Sequence, residues 1–157
     1  MNLQAVIREY RPEDLQAVIE TYRDAVRKIA PALYTTAQVE AWAAFAEDGE
    51  ELSALMAQGY RLVIEGKAGI EAFALLDPPD YVSLLYCRAR ASRQGHASRL
   101  LEALETEASR RGITRLHTAA SLISHPFFLR HGYEVDAPER VERNGVDFDR
   151  YRMSKRL

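Results

Sequence analysis

The sequence predicts an α+β fold in which a mixed, mostly antiparallel sheet carries helices on both faces. Helical periodicity dominates the front of the chain, whereas from Tyr60 onward short apolar runs alternate with turn signals. The length of 157 residues is enough for one domain with its own core. The chain contains no internal repeat or linker-like tract, so we expect a single domain over residues 1–157.

Composition and charge narrow the classes of function. The formal net charge is -2, which argues against nucleic acid or an anionic membrane as the main partner, because such surfaces carry a basic excess. A single cysteine excludes an internal disulfide and is typical of a reducing compartment. The N-terminal segment lacks the apolar core of a signal peptide, and no window is as long and apolar as a membrane span. We therefore expect a cytoplasmic protein.

The front of the chain predicts one strand and three helices. Residues 5–10 have the pattern of a short strand, and Pro12 suits the first position of the helix that follows. The apolar residues of that helix lie on one face at helical spacing; they are Leu15, Val18, Ile19, Tyr22, Val26 and Ile29. Thr35 and Gln38 have the spacing of a capping box and predict the start of a second helix. A shorter third helix should end near Gly59.

The rest of the chain predicts a sheet crossed by two helices. Three consecutive strands are indicated at residues 60–66, 69–77 and 81–88. A long amphipathic helix follows and should end at Gly112, because glycine is favoured just beyond a helix terminus. A strand over residues 114–121 then precedes a short helix ending at Gly132. The dipeptide Asn144-Gly145 predicts a tight hairpin between two final strands.

The start of the long helix has the character of an anion site. Its first turn contains Gly95 and Ala97, whose small side chains let an anion approach the free backbone N–H groups. The segment between Asp80 and Glu102 has no acidic residue but carries Arg88, Arg90, Arg93 and Arg99. An ordinary helix start with a solvated basic face has the same local sequence. No Gly-Lys-Ser/Thr follows, so the loop is not a Walker A phosphate loop. A Rossmann dinucleotide site is also not expected, because the third glycine and the acidic residue on a following parallel strand are missing.

The order of the segments resembles the GNAT N-acetyltransferase superfamily. The loop pattern of that family is Gln/Arg-x-x-Gly-x-Gly/Ala, and the matching loop here is Ser92-Arg93-Gln94-Gly95-His96-Ala97. The stretches "LYTTAQVEAWA" and "AASLISHPFFLRHGY" resemble a small bacterial subgroup of uncharacterised acetyltransferases. The resemblance spans nearly the whole chain and implies a GNAT-like sheet that is splayed in the middle.

The resemblance also implies acetyl-CoA as the cofactor and a place for each of its parts. Its pyrophosphate would lie on the backbone N–H groups of Arg93, Gln94, Gly95, His96, Ala97 and Ser98. The pantetheine arm would pair with the main chain of Leu85 and Cys87 like an added strand. The Cys87 N–H would face the thioester carbonyl, where negative charge develops. The side chains expected along the arm and at its thiol end are Ser121, Ser124, Phe127 and Phe128.

Several positions depart from the family pattern. Ser92 stands where the loop has Gln or Arg, and Phe128 stands where many members keep a tyrosine that protonates the leaving thiolate. Ser83 and Ala119 occupy positions where relatives often carry acids. Because three proton-handling positions are apolar or weakly polar, the resemblance does not assign the general acid and base.

Other residues are candidates for those roles. A lysine-like amine with a pKa of about 10 is mostly protonated at neutral pH, so a base or a water chain to one is expected. His117 is one candidate, with a structural hydrogen bond as the favoured alternative, and the hydroxyl of Tyr86 is another. Glu71 and Asp77 are further options that also fit surface charges. Cys87 acts in this scheme through its N–H, since the family transfers without an acyl-enzyme.

Three side chains near the second helix are candidates for the acceptor site. Tyr34, Gln38 and Trp42 have a spacing that places them together, where they would form a wall beside the acetyl group. Core packing is the alternative for these residues, above all for Trp42. The histidines show no i,i+4 pair and no cysteine partner, so no metal site is expected.

These features predict an acetyl-CoA-dependent N-acetyltransferase. A primary amine of a small molecule or peptide would attack the thioester directly, and positioning would supply much of the rate. One alternative is a catalytically weak acyl-CoA-binding module of the same fold, which the missing tyrosine favours. A second alternative is a structural homodimer whose C-terminal hairpin pairs with a neighbouring copy.

Overall fold

A computed structural model describes residues 5–157 and confirms the predicted fold class. Within these residues the α-helices are Leu15–Ile29 (α1), Thr36–Ala43 (α2), Glu50–Leu55 (α3), His96–Arg110 (α4) and His125–Arg130 (α5). The strands are Val6–Glu9 (β1), Tyr60–Gly66 (β2), Gly69–Leu76 (β3), Tyr81–Cys87 (β4), Arg115–Ala120 (β5), Glu134–Arg143 (β6) and Val146–Arg156 (β7). They form one sheet in the order β1-β2-β3-β4-β5-β7-β6, antiparallel except where β4 meets β5.

Local signals in the sequence set several element boundaries. The Gln38 N–H donates to the Thr35 hydroxyl at 3.2 Å, and the Thr35 N–H donates to the Gln38 side-chain oxygen at 2.9 Å. This reciprocal pair is the predicted capping box at the start of α2. Asn144 and Gly145 both adopt positive φ, at 51° and 76°, as a two-residue hairpin turn requires. No helix in residues 5–157 is long and apolar enough to cross a membrane.

The sheet separates two layers of apolar packing. On one face, Phe73 and Leu75 of β3 pack with the buried sides of α1 and α2. On the other face, Ala72, Ala74 and Leu76 belong to a second cluster that includes the buried leucines of α4. This alternation follows from the two-residue period of a strand, and it leaves β3 and β4 in the middle of the molecule.

The sheet opens between its two central strands. β4 and β5 pair in parallel at Tyr81 with His117 and at Val82 with Thr118. The Thr118 hydroxyl donates to the Val82 carbonyl at 3.0 Å and closes the joint from the side. Beyond Val82 the two strands diverge, so the C-terminal part of β4 faces an opening. This is the splayed sheet that the resemblance implies.

Candidate active site

A cavity of about 470 Å³ occupies the opening between β4 and β5, within the size range of small-molecule sites. Its walls come from both faces of the sheet and from α1, α2 and α5. The residues singled out from the sequence that line it are Tyr34, Trp42, Leu85, Tyr86, Cys87, Ala97, Ser121, Ser124, Phe127 and Phe128. The structure therefore brings the expected thioester, arm and acceptor positions around one space.

Gln38 and His117, predicted as an acceptor contact and a candidate base, lie outside the lining of this cavity. Gln38 uses its side-chain oxygen to cap α2, and its amide nitrogen donates to the Asp147 carbonyl at 3.0 Å. His117 sits at the closed end of the sheet, opposite Tyr81, where β4 and β5 are still paired. This placement does not support Gln38 as an acceptor contact or His117 as a candidate base.

The open edge of β4 presents backbone groups to the cavity. The Arg88 N–H, just beyond the end of β4, donates to the Glu71 carbonyl of β3 at 2.8 Å. The even-numbered residues at this end of β4 therefore direct their N–H and C=O groups toward β3. Backbone direction alternates along a strand, and the N–H groups of Leu85 and Cys87 therefore point the other way, toward the opening. An extended ligand in the cavity can pair with these groups as an additional strand.

The N-terminus of α4 lies at the mouth of the same cavity. Arg99 makes the first backbone bond of the helix, to the Gly95 carbonyl at 3.0 Å, which leaves the N–H groups of His96, Ala97 and Ser98 without helical partners. Gly95 adopts a φ of 83°, and a Cβ built there meets no described atom within 4 Å. Free donors and open space at a helix N-terminus suit a phosphate group.

The arginines around this loop contribute less than the sequence indicates. Arg90 forms a two-pronged ion pair with the buried Glu71, at 2.9 and 3.0 Å. Arg88 donates to the Ile70 carbonyl and Arg99 to the Ala5 carbonyl. Three of the four arginines thus fix the protein itself.

Arg93 is the exception. It is exposed, adopts a φ of 62° and forms no ion pair within residues 5–157. The neighbouring Gln94 is also exposed and donates to the Arg90 carbonyl at 3.4 Å. Arg93 is therefore the side chain of this loop best placed to meet a phosphate. Glu71 is occupied by Arg90 and lies outside the cavity, which corrects its candidacy as a base.

His96 has an unusual environment at the first position of α4. Its side chain is 3% exposed, and neither ring nitrogen has a hydrogen-bond partner within the described residues. Burial lowers the pKa of His96, and the nearby Arg99 lowers it further. The imidazole is therefore neutral at pH 7, and its place in the loop leaves only its backbone N–H available to a ligand.

The turn between β5 and α5 is held by side-chain hydroxyls. The Ser121 N–H donates to the Ser124 hydroxyl and the Ser124 N–H to the Ser121 hydroxyl, at 3.0 and 3.1 Å. The Leu122 N–H donates to the Tyr34 hydroxyl at 2.8 Å. The Ser98 hydroxyl on α4 is hydrogen-bonded to Nε2 of His131, just beyond the end of α5, at 2.9 Å. These bonds fix the cavity wall, so Ser121, Ser124 and Tyr34 shape the site as well as lining it.

Aromatic rings dominate the side of the cavity next to α1 and α2. Trp42 packs edge-on against Tyr34, with ring centroids 5.2 Å apart, and its indole N–H donates to the Tyr86 hydroxyl at 3.2 Å. Tyr22 and Phe148 complete the cluster. Burial raises the pKa of Tyr86, so its hydroxyl stays neutral at physiological pH. Sequence patterns assign Tyr22 to the core face of α1 and give no signal for Phe148.

The end of the cavity lined by Phe127, Phe128 and Cys87 is apolar. Phe128 is 3% exposed and packs edge-on against Tyr133, while Phe127 contacts the His131 ring. Burial raises the pKa of Cys87 to about 11, and the carboxylates of Glu71 and Asp24 act in the same direction. The Cys87 thiol is therefore protonated at neutral pH and is a poor nucleophile.

Ionisable groups are sparse in the cavity. Among the described residues that line it, Asp149 is the one carboxylate, and Arg140 pairs with it at 3.0 Å. Arg150 pairs with Glu139 at 2.6 Å. Asp77 lies outside the cavity, in the turn that precedes β4. The site therefore offers backbone donors, hydroxyls and aromatic surface, with no histidine in its described lining.

Comparisons with known proteins agree with this geometry. A family model described as acetyltransferase (GNAT) domain matches residues 30–155. The chain is 28% identical to the uncharacterized N-acetyltransferase YafP of Escherichia coli K12, over 94% of this chain and 93% of YafP.

Solved structures of N-acetyltransferases share the fold of this chain. A GCN5-related N-acetyltransferase from Rhodopseudomonas palustris, also named aminotransferase, class-II, superposes with a TM-score of 0.95 at 27% identity, covering 100% of this chain and 98% of that one. The PaiA N-acetyltransferase of Thermoplasma acidophilum, solved with coenzyme A, shares the fold with a TM-score of 0.77 at 18% identity, covering 99% and 100%. The chain belongs to the GNAT family and is an N-acetyltransferase.

Proposed function

We propose that this protein transfers the acetyl group of acetyl-CoA to a primary amine of a small molecule or peptide, by direct attack of the amine on the thioester. The observation that carries the proposal is the unpaired edge of β4 at Leu85 and Cys87, which opens into a cavity whose mouth is the N-terminus of α4. A thioester on an extended, phosphate-bearing carrier fits that combination of strand edge and helix terminus.

Binding of acetyl-CoA is supported by hydrogen-bond donors that the chain leaves without partners. His96, Ala97 and Ser98 offer N–H groups beside the open space at Gly95, and Arg93 adds an exposed cation. Acetyl-CoA supplies an activated acetyl group when it is bound. The PaiA structure is a complex with coenzyme A. The YncA structure from Salmonella typhimurium, which is 20% identical to this chain, contains acetyl-CoA. Both are consistent with acetyl-CoA as the acyl donor here.

The backbone of β4 performs the electrostatic part of the reaction in this proposal. The Cys87 N–H donates to the thioester carbonyl oxygen and stabilises the negative charge that develops as the amine attacks. Because the dipole of the strand edge is fixed before the substrate arrives, little reorganisation is needed. The Cys87 thiol stays protonated and takes no covalent part.

The acceptor amine enters from the aromatic side. The Tyr86 hydroxyl accepts a hydrogen bond from Trp42 and also contacts the Tyr22 hydroxyl, and in this proposal its remaining hydrogen-bonding position serves the amine. Since burial raises its pKa, Tyr86 orients the amine as a neutral hydroxyl. Water takes the proton of the amine and returns one to the leaving thiolate, because Phe128 cannot donate. A thiol with a pKa near 8.5 leaves partly as thiolate.

A catalytically weak acyl-CoA-binding module is the second candidate. It is favoured by one observation, the absence of a histidine or an unpaired carboxylate from the described lining of the cavity. The two candidates share the donor site and differ in turnover. A cytoplasmic location and a homodimer built through the C-terminal hairpin remain predictions from the sequence.

Two measurements separate the candidates. In a thermal-shift assay, CoA at about 100 times its Kd should stabilise the fold by about 2.7 kcal/mol. Release of free thiol from acetyl-CoA is then followed with a panel of primary amines. Stabilisation with amine-dependent thiol release supports the enzyme, and stabilisation without it at any pH supports the binding module. No response to CoA would contradict both.

A further inference from the structure

We propose that the acceptor is an amine whose apolar or aromatic body carries a carboxylate, and that Arg143 binds this carboxylate at the rim of the cavity. The inference rests on the proposed function, because it names the substrate class of the same site. Its basis is the pairing state of the charged residues around the aromatic cluster.

Three charged residues line the cavity, counted within the part of the chain that the structure describes. They are Arg143, Asp149 and Arg150. Asp149 is paired with Arg140, and Arg150 with Glu139. The side chain of Arg143 forms no ion pair or hydrogen bond with any residue from 5 to 157. The rim therefore holds one cation whose guanidinium has all its donors free.

Arg143 acts on the aromatic cluster itself. It lies at the end of β6, immediately before the hairpin turn. Burial raises the pKa of Tyr22 and of Tyr86, and the positive charge of Arg143 opposes both shifts. Arg143 is exposed at the rim and lines the same cavity as these two phenols, so its charge reaches them.

The hairpin holds Arg143 in position. Asn144, the next residue, donates to the Ala41 carbonyl of α2 at 3.4 Å, and the Asp147 carbonyl accepts from Gln38 at 3.0 Å. Both bonds join the turn to the helix that carries Trp42. The cation and the aromatic wall are therefore parts of one assembly, and a ligand that touches both needs an apolar part for the wall and a carboxylate for the cation.

The chemistry of the pocket selects the ligand class. Guanidinium groups bind carboxylates through paired, charge-assisted hydrogen bonds. Polyamines and lysine-rich peptides carry extra positive charge, which an unpaired arginine repels and which no free carboxylate in the described lining offsets. An amine with a carboxylate avoids this repulsion and gains a partner, while its apolar part packs against Trp42 and Tyr34.

The single tryptophan makes a direct binding test feasible. Trp42 is the only tryptophan of the chain and lies in the cavity, so its fluorescence reports occupancy without turnover. The probes are L-phenylalanine and glycyl-L-phenylalanine, each compared with its C-terminal amide, and spermidine. The two acids place the carboxylate at different distances from the amine, and each amide replaces the charged carboxylate with an uncharged group of similar size.

We expect at least one acid to bind about ten- to one-hundred-fold more tightly than its amide, the range for a charged hydrogen bond. Arg143→Gln should remove this preference and Arg143→Lys should retain part of it. Arg156→Gln is the matched control, because Arg156 is exposed and lies at the far end of β7. Spermidine should not compete with either acid.

Either of two results would overturn the inference: neither acid gives a saturable signal tighter than its amide, or the preference survives in Arg143→Gln. Acetyl transfer to the probes is measured separately. Carboxylate preference without transfer under any condition would count against the proposed function alone. Efficient transfer to the neutral amides or to spermidine, with no preference for the acids, would count against the inference alone.

Discussion

The indole N–H of Trp42 donates to the Tyr86 hydroxyl across 3.2 Å, and this bond joins α2 to β4 beside the opening of the sheet. The Trp42 ring is half-buried, with Tyr34 and Phe148 packed against it. A residue that was expected either to wall the acceptor site or to pack in the core both lines the cavity and packs against the core cluster.

Replacing Trp42 should affect the amine more than the acyl donor. Trp42→Ala removes the aromatic wall and the Tyr86 contact, so the KM for the amine should rise by roughly ten-fold, the scale of one lost aromatic contact. The KM for acetyl-CoA should change less. Steady-state kinetics in both substrates check this, with Trp42→Phe as the variant that keeps a ring. Equal effects on both KM values would remove Trp42 from the acceptor site.

Gly95→Glu should abolish binding of acetyl-CoA and leave the fold in place. The new carboxylate would enter the open space at the N-terminus of α4 and repel the pyrophosphate. Gly112→Glu is the matched control, because Gly112 also has a φ of 83° and open space around its Cβ position. Each variant should lose about 1–2 kcal/mol of stability from its positive φ. Calorimetry that finds unchanged CoA affinity in Gly95→Glu would place the site elsewhere.

Phe128 should matter for packing and not for proton transfer. Phe128→Ala should cost about 3–5 kcal/mol of stability and weaken CoA binding, whereas Phe128→Tyr should leave kcat equal or modestly higher. In the native enzyme kcat should rise with pH as the amine loses its proton.

The descending side of the same pH profile identifies any enzymic acid. We expect no fall in kcat between about pH 7 and 9, where an acid poised for catalysis would titrate. Since burial raises the pKa of Tyr86, a Tyr86 acid would lower kcat only at higher pH. A fall in kcat between about pH 7 and 9 that does not depend on the choice of amine would reveal an enzymic acid other than Tyr86.

His96 should make the protein sensitive to acid. Burial lowers its pKa in the folded state, so unfolding takes up a proton in mildly acidic solution. The stabilising effect of the neutral ring is complete above the unfolded pKa of about 6.5 and is lost as the pH falls through the folded value. Urea unfolding at several pH values should show stability falling below about pH 6.5.

Replacing that histidine tests the assignment. His96→Leu removes two unpaired polar atoms from a buried site and should raise the free energy of unfolding at pH 7 by about 1–2 kcal/mol. It should also flatten the dependence on pH below neutrality. His125→Gln serves as the control, since that ring stacks on Tyr151 away from α4. An unchanged acid profile in His96→Leu would show that another group senses the acid.

Local spacing explains why much of the fold was predictable. Helical periodicity identified α1 and α4, the Thr35 and Gln38 pair set the start of α2, and Asn144-Gly145 set the final turn. Each of these signals lies within a few neighbouring residues, where spacing alone decides the geometry.

The site was harder to predict, because its residues find partners far along the chain. Gln38 has the composition of a binding residue, but its amide is used by its own cap and by Asp147. Arg90 is neutralised by Glu71 on another strand. Arg143 left no signal at all in the sequence. Pattern identifies polar residues, and only tertiary structure shows which of them remain available.

The short joint between β4 and β5 has a consequence for the lifetime of the protein. Tyr81 and Val82 are the last residues of β4 to reach across to β5. Under the proposed function, the acyl donor acts as the strand that completes the sheet. The empty enzyme is then two half-sheets joined at one corner, and local opening starts in the weakly held parts of a fold. Proteases therefore meet the substrate-free form in its most open state, so the abundance of this enzyme would follow the supply of its donor.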